Sequence, residues 1–257
     1  MNDRLSELLA ENGVLYGLIC RDATATDMEL IAQEGYNVVW LDLEHGFQST
    51  EEVLQLVRTI GHLGMVPLAR IVELSRTHIQ RLLDGGVQGI ILPDVGDSAE
   101  AQRLVQLGKF PPIGKRGVSS TGVSTGFRLD GDPLGNLSDV NNRTHLMAQF
   151  ESDHGYDSLS DILEIEQIDM ISIGPMDWAV SLGLSWEMAK ANVSPKIDNL
   201  IKESVKAGKV VATNFAGMDE ASRYRDLGAR VLITGTDITL KRRGFAGAIA
   251  PFRDAMA

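Results

Sequence analysis

The chain has 257 residues, of which 44% are hydrophobic and 23% charged, and its 35 acidic against 24 basic side chains give a formal net charge of −11. A chain of this length buries enough apolar surface to fold without disulfide or metal staples, which excludes intrinsic disorder and miniprotein scaffolds. The acidic balance and the aromatic content of 5% argue against a nucleic acid or an anionic membrane surface as partner. We therefore expect a small-molecule ligand.

Cysteine usage and the N-terminal segment bear on the cellular compartment. The single cysteine, Cys20, can form neither an intramolecular disulfide nor a four-thiolate zinc site. Residues 1–13 lack the apolar stretch of a signal peptide, and no window approaches about 18 consecutive apolar residues. These features predict a cytoplasmic protein that does not span a membrane.

Eight short apolar or β-branched runs alternate with amphipathic helical stretches, the pattern of βα units around a parallel sheet. The runs cover residues 14–20, 37–44, 66–72, 89–95, 145–151, 170–175, 210–215 and 230–236. Their near-continuous hydrophobicity is typical of strands covered on both faces. We predict an α/β fold, a single TIM (β/α)8 barrel over residues 1–257. A doubly wound open sheet is the alternative, but its G-x-G-x-x-G turn is absent after the first run.

Capping signals predict several of the intervening helices. Ser49 or Thr50 is placed to cap the start of a helix that Gly61 or Gly64 then ends. The stretches with the same pattern are residues 77–86, 97–109 and 219–229. Each of them closes with a glycine that can adopt the left-handed conformation at a helix C-terminus.

Residues 110–142 interrupt this alternation. The segment is rich in Gly, Ser, Pro and Asp and shows no apolar period, so we predict a long connection into the fifth strand without structure of its own. Its Gly-Lys-Arg-Gly stretch, residues 114–117, is expected to be a solvated turn. Anion binding through Arg116 and backbone amides is the alternative.

Active sites of TIM barrels lie at the C-terminal ends of the strands, so polar residues that end the apolar runs are the candidates. These residues are Asp42, Glu44, His45, Arg70, Gln149, Glu151 and Asp177. Glu151 and Asp177 offer hard oxygen donors on adjacent strands, and such a pair can hold Mg²⁺ or Mn²⁺ with positions left open for water or substrate. Gln149 points to the same side as Glu151, because side chains alternate along a strand. Alternatively, either carboxylate only caps the helix that follows it.

The other strand-end residues have chemistry of their own. His45 could act as a general base at neutral pH, with Asp42, three residues earlier, orienting its ring; a purely structural histidine is the alternative. Arg70 could grip a substrate carboxylate or stabilise an oxyanion. Its alternative role is a salt bridge to Asp42 or Glu44 at the barrel rim.

Seven segments in one order make the sequence similar to a known family. They are WLDLEHG (40–46), PLAR (67–70), RLLDGGVQGIILPDV (81–95), FPPIGKRGV (110–118), AQFES (148–152), ISIGPMDWAVSLG (171–183) and LITGTDITLK (232–241). Together they resemble the HpcH/HpaI aldolases, metal-dependent class II pyruvate aldolases with a TIM barrel fold. The likeness covers almost the whole chain.

The resemblance implies a metal and substrate site at the strand ends. Glu151 and Asp177 would bind a divalent metal, Mg²⁺, Mn²⁺ or Co²⁺, and no organic cofactor is expected. Gln149 and Asp177 would contact the pyruvate moiety, and the backbone around Met176 would approach its carboxylate. The enzyme would cleave or form 4-hydroxy-2-oxo acids through a metal-stabilised enolate.

The resemblance also implies which residues do the proton chemistry. His45 would be the base, Arg70 would bind substrate and stabilise the transition state, and Asp84 would support the basicity of His45. Asp42 joins this catalytic group as the neighbour of His45. From its position near a helix C-terminus alone, Asp84 would be placed on the surface.

The expected partners are a keto acid, an aldehyde and further copies of the chain. The resemblance implies a homo-oligomer, a hexamer built as a trimer of dimers, whose last helix is exchanged between subunits; the apolar tail at 245–256 is compatible with this. The segments after Glu151 and Asp177 depart from the residues usual in the family, which leaves the aldehyde open. Two alternatives remain: a citrate-lyase-like enzyme acting on a malyl-CoA-type thioester, and a non-catalytic barrel that binds small acids.

Overall fold

A computed structural model describes residues 3–119, 122–127 and 133–256. In these residues eight parallel strands pair in sequence order and close into a barrel. The strands are β1 Leu15–Cys20, β2 Val38–Asp42, β3 Val66–Arg70, β4 Gly89–Leu92, β5 His145–Phe150, β6 Met170–Ile173, β7 Val210–Asn214 and β8 Val231–Thr236. Each predicted run contains one of them, so the predicted TIM (β/α)8 barrel is confirmed.

The helices lie in the connections before, between and after the strands. They are α1 Arg4–Asn12, α2 Ala25–Gln33, α3 Thr50–His62, α4 Arg76–Asp84, α5 Ser98–Gly108, α6 Pro133–Asn142, α7 Asp153–Asp157, α8 Leu159–Leu163, α9 Pro175–Ser181, α10 Trp186–Lys206, α11 Met218–Leu227 and α12 Asp237–Met256. Among the residues that the structure describes, none of these helices has the length and apolar character that crossing a membrane requires.

Successive side chains of the strands point to opposite faces of the sheet and pack into two separate cores. One core fills the barrel interior and includes Leu15, Val38, Trp40, Val66, Leu68, Ile91, Met147, Met170, Ala212, Val231 and Ile233. The other lies between the barrel wall and the surrounding helices. Leu5 and Leu8 of α1 belong to the interior core, so α1 closes the N-terminal end of the barrel. The C-terminal end is left for function.

The start and end of α3 show how local sequence sets helix bounds. Ser49, rather than Thr50, is the N-cap: its hydroxyl accepts the backbone N–H of Glu52 (3.3 Å), and the carboxylate of Glu52 accepts the backbone N–H of Ser49 (2.7 Å). This reciprocal pair is a capping box. Gly64, with φ +78°, follows the helix end, whereas Gly61 lies inside the helix.

The predicted left-handed glycines are found after two of the three other helices. Gly86 and Gly228 have φ values of +104° and +111°. The prediction for Gly108 is wrong: α5 ends at Gly108, and Lys109 follows it in an extended conformation with φ −104°. The extended backbone lets the Lys109 ammonium reach the carbonyl of Asn141 at 2.8 Å.

The described part of the connection over residues 110–142, which leaves out 120–121 and 128–132, is more ordered than its composition suggests. It contains a 3-10 turn over Val123–Thr125 and helix α6, so the expectation of a segment without structure is wrong. Leu137 and Val140 lie three residues apart on α6 and pack against Phe110. Two apolar residues are too few to produce a recognisable helical period.

Arg116 is also placed differently from expectation. The predicted solvated turn is wrong, because the Arg116 side chain is buried, with its Nη2 2.7 Å from an Asp84 carboxylate oxygen. Its guanidinium carbon lies 4.4 Å from the centre of the Phe110 ring. Burying an arginine requires a charged partner, and neither the composition nor the spacing of residues 114–117 identifies Asp84 as that partner.

Candidate active site

The direction of the strand side chains brings the candidate residues together. Asp42, Arg70 and Gln149 each lie two residues after a side chain that packs in the barrel interior. Because strand side chains alternate, all three point toward the barrel axis at its C-terminal end. Asp42 and Arg70 are also register partners on β2 and β3. Glu151 follows β5 and continues the side of Gln149.

Asp42 is buried at the centre of a hydrogen-bond network. Its carboxylate accepts two bonds from Arg70, Nε at 3.0 Å and Nη2 at 2.7 Å, and one from Arg21 Nε at 2.9 Å. It also accepts the backbone N–H groups of Glu44 and His45, each at 3.2 Å. Burial opposes ionisation, but the hydrogen bonds and charge of Arg70 outweigh it and lower the pKa of Asp42. Asp42 therefore stays ionised and fixes the orientation of Arg70.

Arg70 links this network to the neighbouring carboxylates. Its Nη1 lies 2.9 Å from Glu44 Oε2 and 4.0 Å from Glu151 Oε1. Its guanidinium carbon lies 5.8 Å from the centre of the Trp40 ring. Arg70 thus forms salt bridges to both Asp42 and Glu44, the two partners predicted for its alternative role. The bidentate pair to Asp42 uses Nε and Nη2, so Nη1 is the nitrogen that lies near Glu44 and Glu151.

Glu151 is a buried carboxyl group that lacks a full set of partners. Its side chain is 5% exposed; Oε2 accepts the backbone N–H of Asp94 at 3.2 Å, and Oε1 has no hydrogen-bond partner. Burial, and next the negative charge of Asp177, raise the pKa of Glu151 to about 8. Gly174 makes this position possible, because a Cβ atom there would lie 2.1 Å from Glu151 Oε1.

The oxygens around Glu151 fit a divalent cation. Asp177 stands in the first turn of α9, and its charge acts on Glu151. Gln149 is buried, and its Oε1 also lacks a partner. Unpaired buried acceptors are rare, and a cation would satisfy both of them. Across the described ranges no three His, Cys, Asp or Glu side chains group as metal ligands, so a cation here would need neutral oxygens beside the two carboxylates.

His45 and Met176 are exposed, unlike the buried Gln149 and Glu151. The His45 side chain is 49% exposed, and its Nε2 lies 3.9 Å from Glu44 Oε2. The backbone N–H of His45 donates a hydrogen bond to the Asp42 carboxylate. Met176 is 60% exposed and directly precedes Asp177.

Asp84 does not join the group within one chain. It is the last residue of α4, which runs back from the C-terminal end of β3 to the N-terminal end of β4. Asp84 therefore lies near the opposite end of the barrel from His45. Its recorded partner is the buried Arg116.

Three further residues shape the site. Arg21 directly follows β1, so the strand-end rule that selected Arg70 would have selected it too. Asp94 contributes its backbone N–H from a left-handed conformation, φ +41°, that residues with a Cβ rarely adopt. Gly174 leaves room for the Glu151 carboxyl group because it has no side chain. The last two act through the backbone, and no pattern of side-chain types reveals them.

Known proteins share this sequence and fold. Hydroxypyruvate/pyruvate aldolase of Delftia acidovorans is 29% identical over 243 residues, 95% of this chain and 90% of that protein. 2-Keto-3-deoxy-L-rhamnonate aldolase of Escherichia coli K12 is 28% identical over 253 residues, 98% and 94% of the two chains. The crystal structure of an HpcH/HpaI aldolase from Desulfitobacterium hafniense DCB-2 shares the fold, with a TM-score of 0.89, 24% identity and coverage of 97% and 96%. Residues 16–243 match the family profile, and the chain therefore belongs to the HpcH/HpaI aldolase/citrate lyase family.

Proposed function

We propose that the protein is a metal-dependent pyruvate aldolase, an aldehyde-lyase (EC 4.1.2.-) that cleaves or forms 4-hydroxy-2-oxo acids to or from pyruvate and an aldehyde. The observation that supports this most strongly is the state of Glu151. A buried carboxyl group with an unpaired oxygen and a pKa raised to about 8 is costly to ionise unless a cation binds it. The names of the two relatives, both aldolases, agree with this function.

The metal would be held by Glu151 and Asp177, with the amide oxygen of Gln149 beside them. Carboxylate and amide oxygens suit Mg²⁺, Mn²⁺ or Co²⁺, and no organic cofactor is proposed. When bound, the cation supplies positive charge that stabilises the enolate of a 2-keto acid. Gln149, Asp177 and the backbone around Met176 would hold the pyruvate moiety.

The other residues of the site would bind substrate and move protons. In the cleavage direction, His45 at the exposed edge takes the proton of the 4-hydroxyl group, and in the synthetic direction it returns that proton. Arg70 directs Nη1 toward the substrate oxygen and stabilises charge there. Asp42 keeps that guanidinium oriented through two hydrogen bonds.

The role proposed for Asp84 requires a second subunit. Asp84 lies near the opposite end of the barrel from His45 in the same chain, so support for His45 would have to come from Asp84 of the partner subunit. Helix α12 offers a surface for such assembly, because Phe245, Phe252 and Met256 are 75%, 61% and 85% exposed. We propose a homo-oligomer, a hexamer formed as a trimer of dimers with exchange of α12; light scattering of the purified protein tests the subunit number.

Exchange of the methyl protons of pyruvate for deuterium tests the function without knowledge of the aldehyde. Mass spectrometry of pyruvate in D₂O should show exchange with added Mg²⁺ or Mn²⁺ and none with a strong chelator. Asp177→Ala should abolish it, and His45→Ala should slow it by about 10²-fold while metal binding persists. Full exchange in the presence of chelator would overturn the proposal.

A second candidate is a lyase acting on a CoA thioester, because the family profile also covers citrate lyases. A CoA ligand needs cationic groups for its phosphates, and among the described residues the strand-end arginines Arg21 and Arg70 are both held by Asp42. Turnover of malyl-CoA much faster than that of free 4-hydroxy-2-oxo acids would favour this candidate.

A further inference from the structure

The two segments that carry the candidate metal ligands are tied together by a hydrogen bond. Trp178 directly follows Asp177, and its buried indole donates Nε1–H to Asp153 Oδ1 at 2.7 Å. Asp153 lies two residues after Glu151. The bond therefore joins the segment after β5 to helix α9 within two residues of each ligand.

A third element completes the connection. Lys196 of α10 donates from Nζ to the same oxygen of Asp153, at 2.6 Å. Its ammonium also lies 5.8 Å from the centre of the Tyr156 ring, and the rings of Tyr156 and Trp178 are 5.5 Å apart at an angle of 45°. Charge-assisted bonds to one carboxylate oxygen thus hold Asp153 between α9 and α10.

Glu151 and Asp177 lie on different segments, and two ionised carboxylates that face one ion repel each other until the ion is bound. Other contacts must therefore hold the two segments at a separation from which both carboxylates can reach one ion. We propose that Asp153, Trp178 and Lys196 form a clamp that fixes the Glu151 and Asp177 segments relative to each other and so preorganises the site for a divalent cation.

This inference rests on the proposed function, because it assumes that Glu151 and Asp177 share a metal. Asp153, Trp178 and Lys196 are positioning residues: none of them touches the ion, and each acts through the segment that carries a ligand. Partners of this kind, one step removed from a metal, commonly change metal affinity by about 10–100-fold when they are lost.

The test measures binding of Mn²⁺ alone to metal-free protein, by the electron paramagnetic resonance signal of free Mn²⁺. Trp178→Phe keeps an aromatic ring but removes the donor along with part of the buried indole, and Asp153→Ala removes the acceptor; each should raise the dissociation constant by about 10-fold. Asp153→Asn keeps an oxygen that can accept the indole N–H, so its dissociation constant should rise less than about 3-fold.

Two further variants separate the clamp from general stability. Tyr36→Phe removes another aromatic side chain's hydrogen bond, the one between Tyr36 Oη and Thr234 Oγ1 (2.9 Å), and should leave Mn²⁺ affinity unchanged. Lys196→Gln alters a partly exposed side chain, so it keeps the test valid if Trp178→Phe fails to fold; it should weaken binding by about 3-fold.

The outcomes distinguish the two proposals. Tight Mn²⁺ binding by the wild type, with Trp178→Phe and Asp153→Ala within about 2-fold of it, overturns the clamp and leaves the aldolase proposal standing. Equal weakening by Asp153→Asn and Asp153→Ala also overturns it, because the indole bond would then not matter. Absence of Mn²⁺ binding in the wild type overturns both proposals.

Discussion

The two ends of the barrel each bury a titratable group, but only one of these groups has a full set of partners. At the N-terminal end, the Lys109 ammonium is hydrogen-bonded to the carbonyls of Asn141 and Thr144 and lies 3.6 Å from Asp169. At the C-terminal end, Glu151 is buried with one oxygen unpaired. The first arrangement is complete without any ligand. In the second arrangement, ionising Glu151 costs free energy unless a cation binds to it. Lys109 thus has the partners that a buried charge needs for stability, whereas Glu151 lacks a partner for one oxygen.

Two carboxyl groups show the same contrast in their pKa values. Burial opposes ionisation of Asp3, but hydrogen bonds from His145 and Ser6 outweigh it and lower the pKa of Asp3 to about 2. Burial and the charge of Asp177 raise the pKa of Glu151 to about 8. One carboxyl group is stabilised as an anion by the fold, and the other is not.

The largest effect is expected for Glu151→Gln. Pyruvate proton exchange should fall by about 10³-fold, because a charged ligand of the proposed metal is lost. The free energy of unfolding of the metal-free protein should stay equal or rise, since a buried carboxyl group that is costly to ionise is replaced by a neutral amide. Asp3→Asn is the matched control: it should lower stability and leave exchange unchanged. Exchange at the wild-type rate in Glu151→Gln would contradict the proposal that Glu151 binds the metal.

Arg70→Met should have the next largest effect, now on stability. The variant leaves the buried carboxylate of Asp42 with Arg21 and two backbone N–H groups as partners. We expect a loss of about 3 kcal/mol in the free energy of unfolding, measured by urea denaturation. A loss below about 1 kcal/mol would show that the bidentate pair contributes as little as an exposed one.

Lys109→Met tests the opposite end. The carbonyls of Asn141 and Thr144 would lose a buried donor, so we expect a loss of about 2 kcal/mol, again by urea denaturation. The folded variant should exchange pyruvate protons at the wild-type rate. Slower exchange at unchanged metal saturation would mean that the two ends are coupled.

The last prediction concerns the pH dependence of stability in metal-free protein. Because its pKa falls from 3.8 to about 2, Asp3 adds stability above pH 3.8 that is lost as the pH falls through 2. Because its pKa rises from 4.5 to about 8, Glu151 lowers stability progressively as the pH rises from 4.5 to 8. Melting curves should show Asp3→Asn losing its deficit at low pH and Glu151→Gln gaining an advantage toward pH 8. Parallel curves for both variants would contradict this.

The sequence predicts those parts of the fold and site that follow from strand patterns. Apolar runs locate all eight strands, and the strand-end rule selects Asp42, Arg70 and Glu151, because side chains of parallel strands converge at one end of a barrel. Helix α6 was missed because two apolar residues do not make a period.

Pairings between distant segments could not be predicted. Arg116 with Asp84 and Trp178 with Asp153 depend on how helices pack, and no local pattern encodes their distances. The backbone N–H of Asp94 enters the site through its φ angle, which side-chain types do not reveal.

A crystal structure of the protein with Mn²⁺ and pyruvate tests the proposed metal site most directly. We predict an anomalous peak for manganese between the carboxylates of Glu151 and Asp177, with the keto acid bound to the ion and Arg70 facing its oxygen. Well-ordered pyruvate with Glu151 and Asp177 pointing apart, and no metal between them, would contradict it.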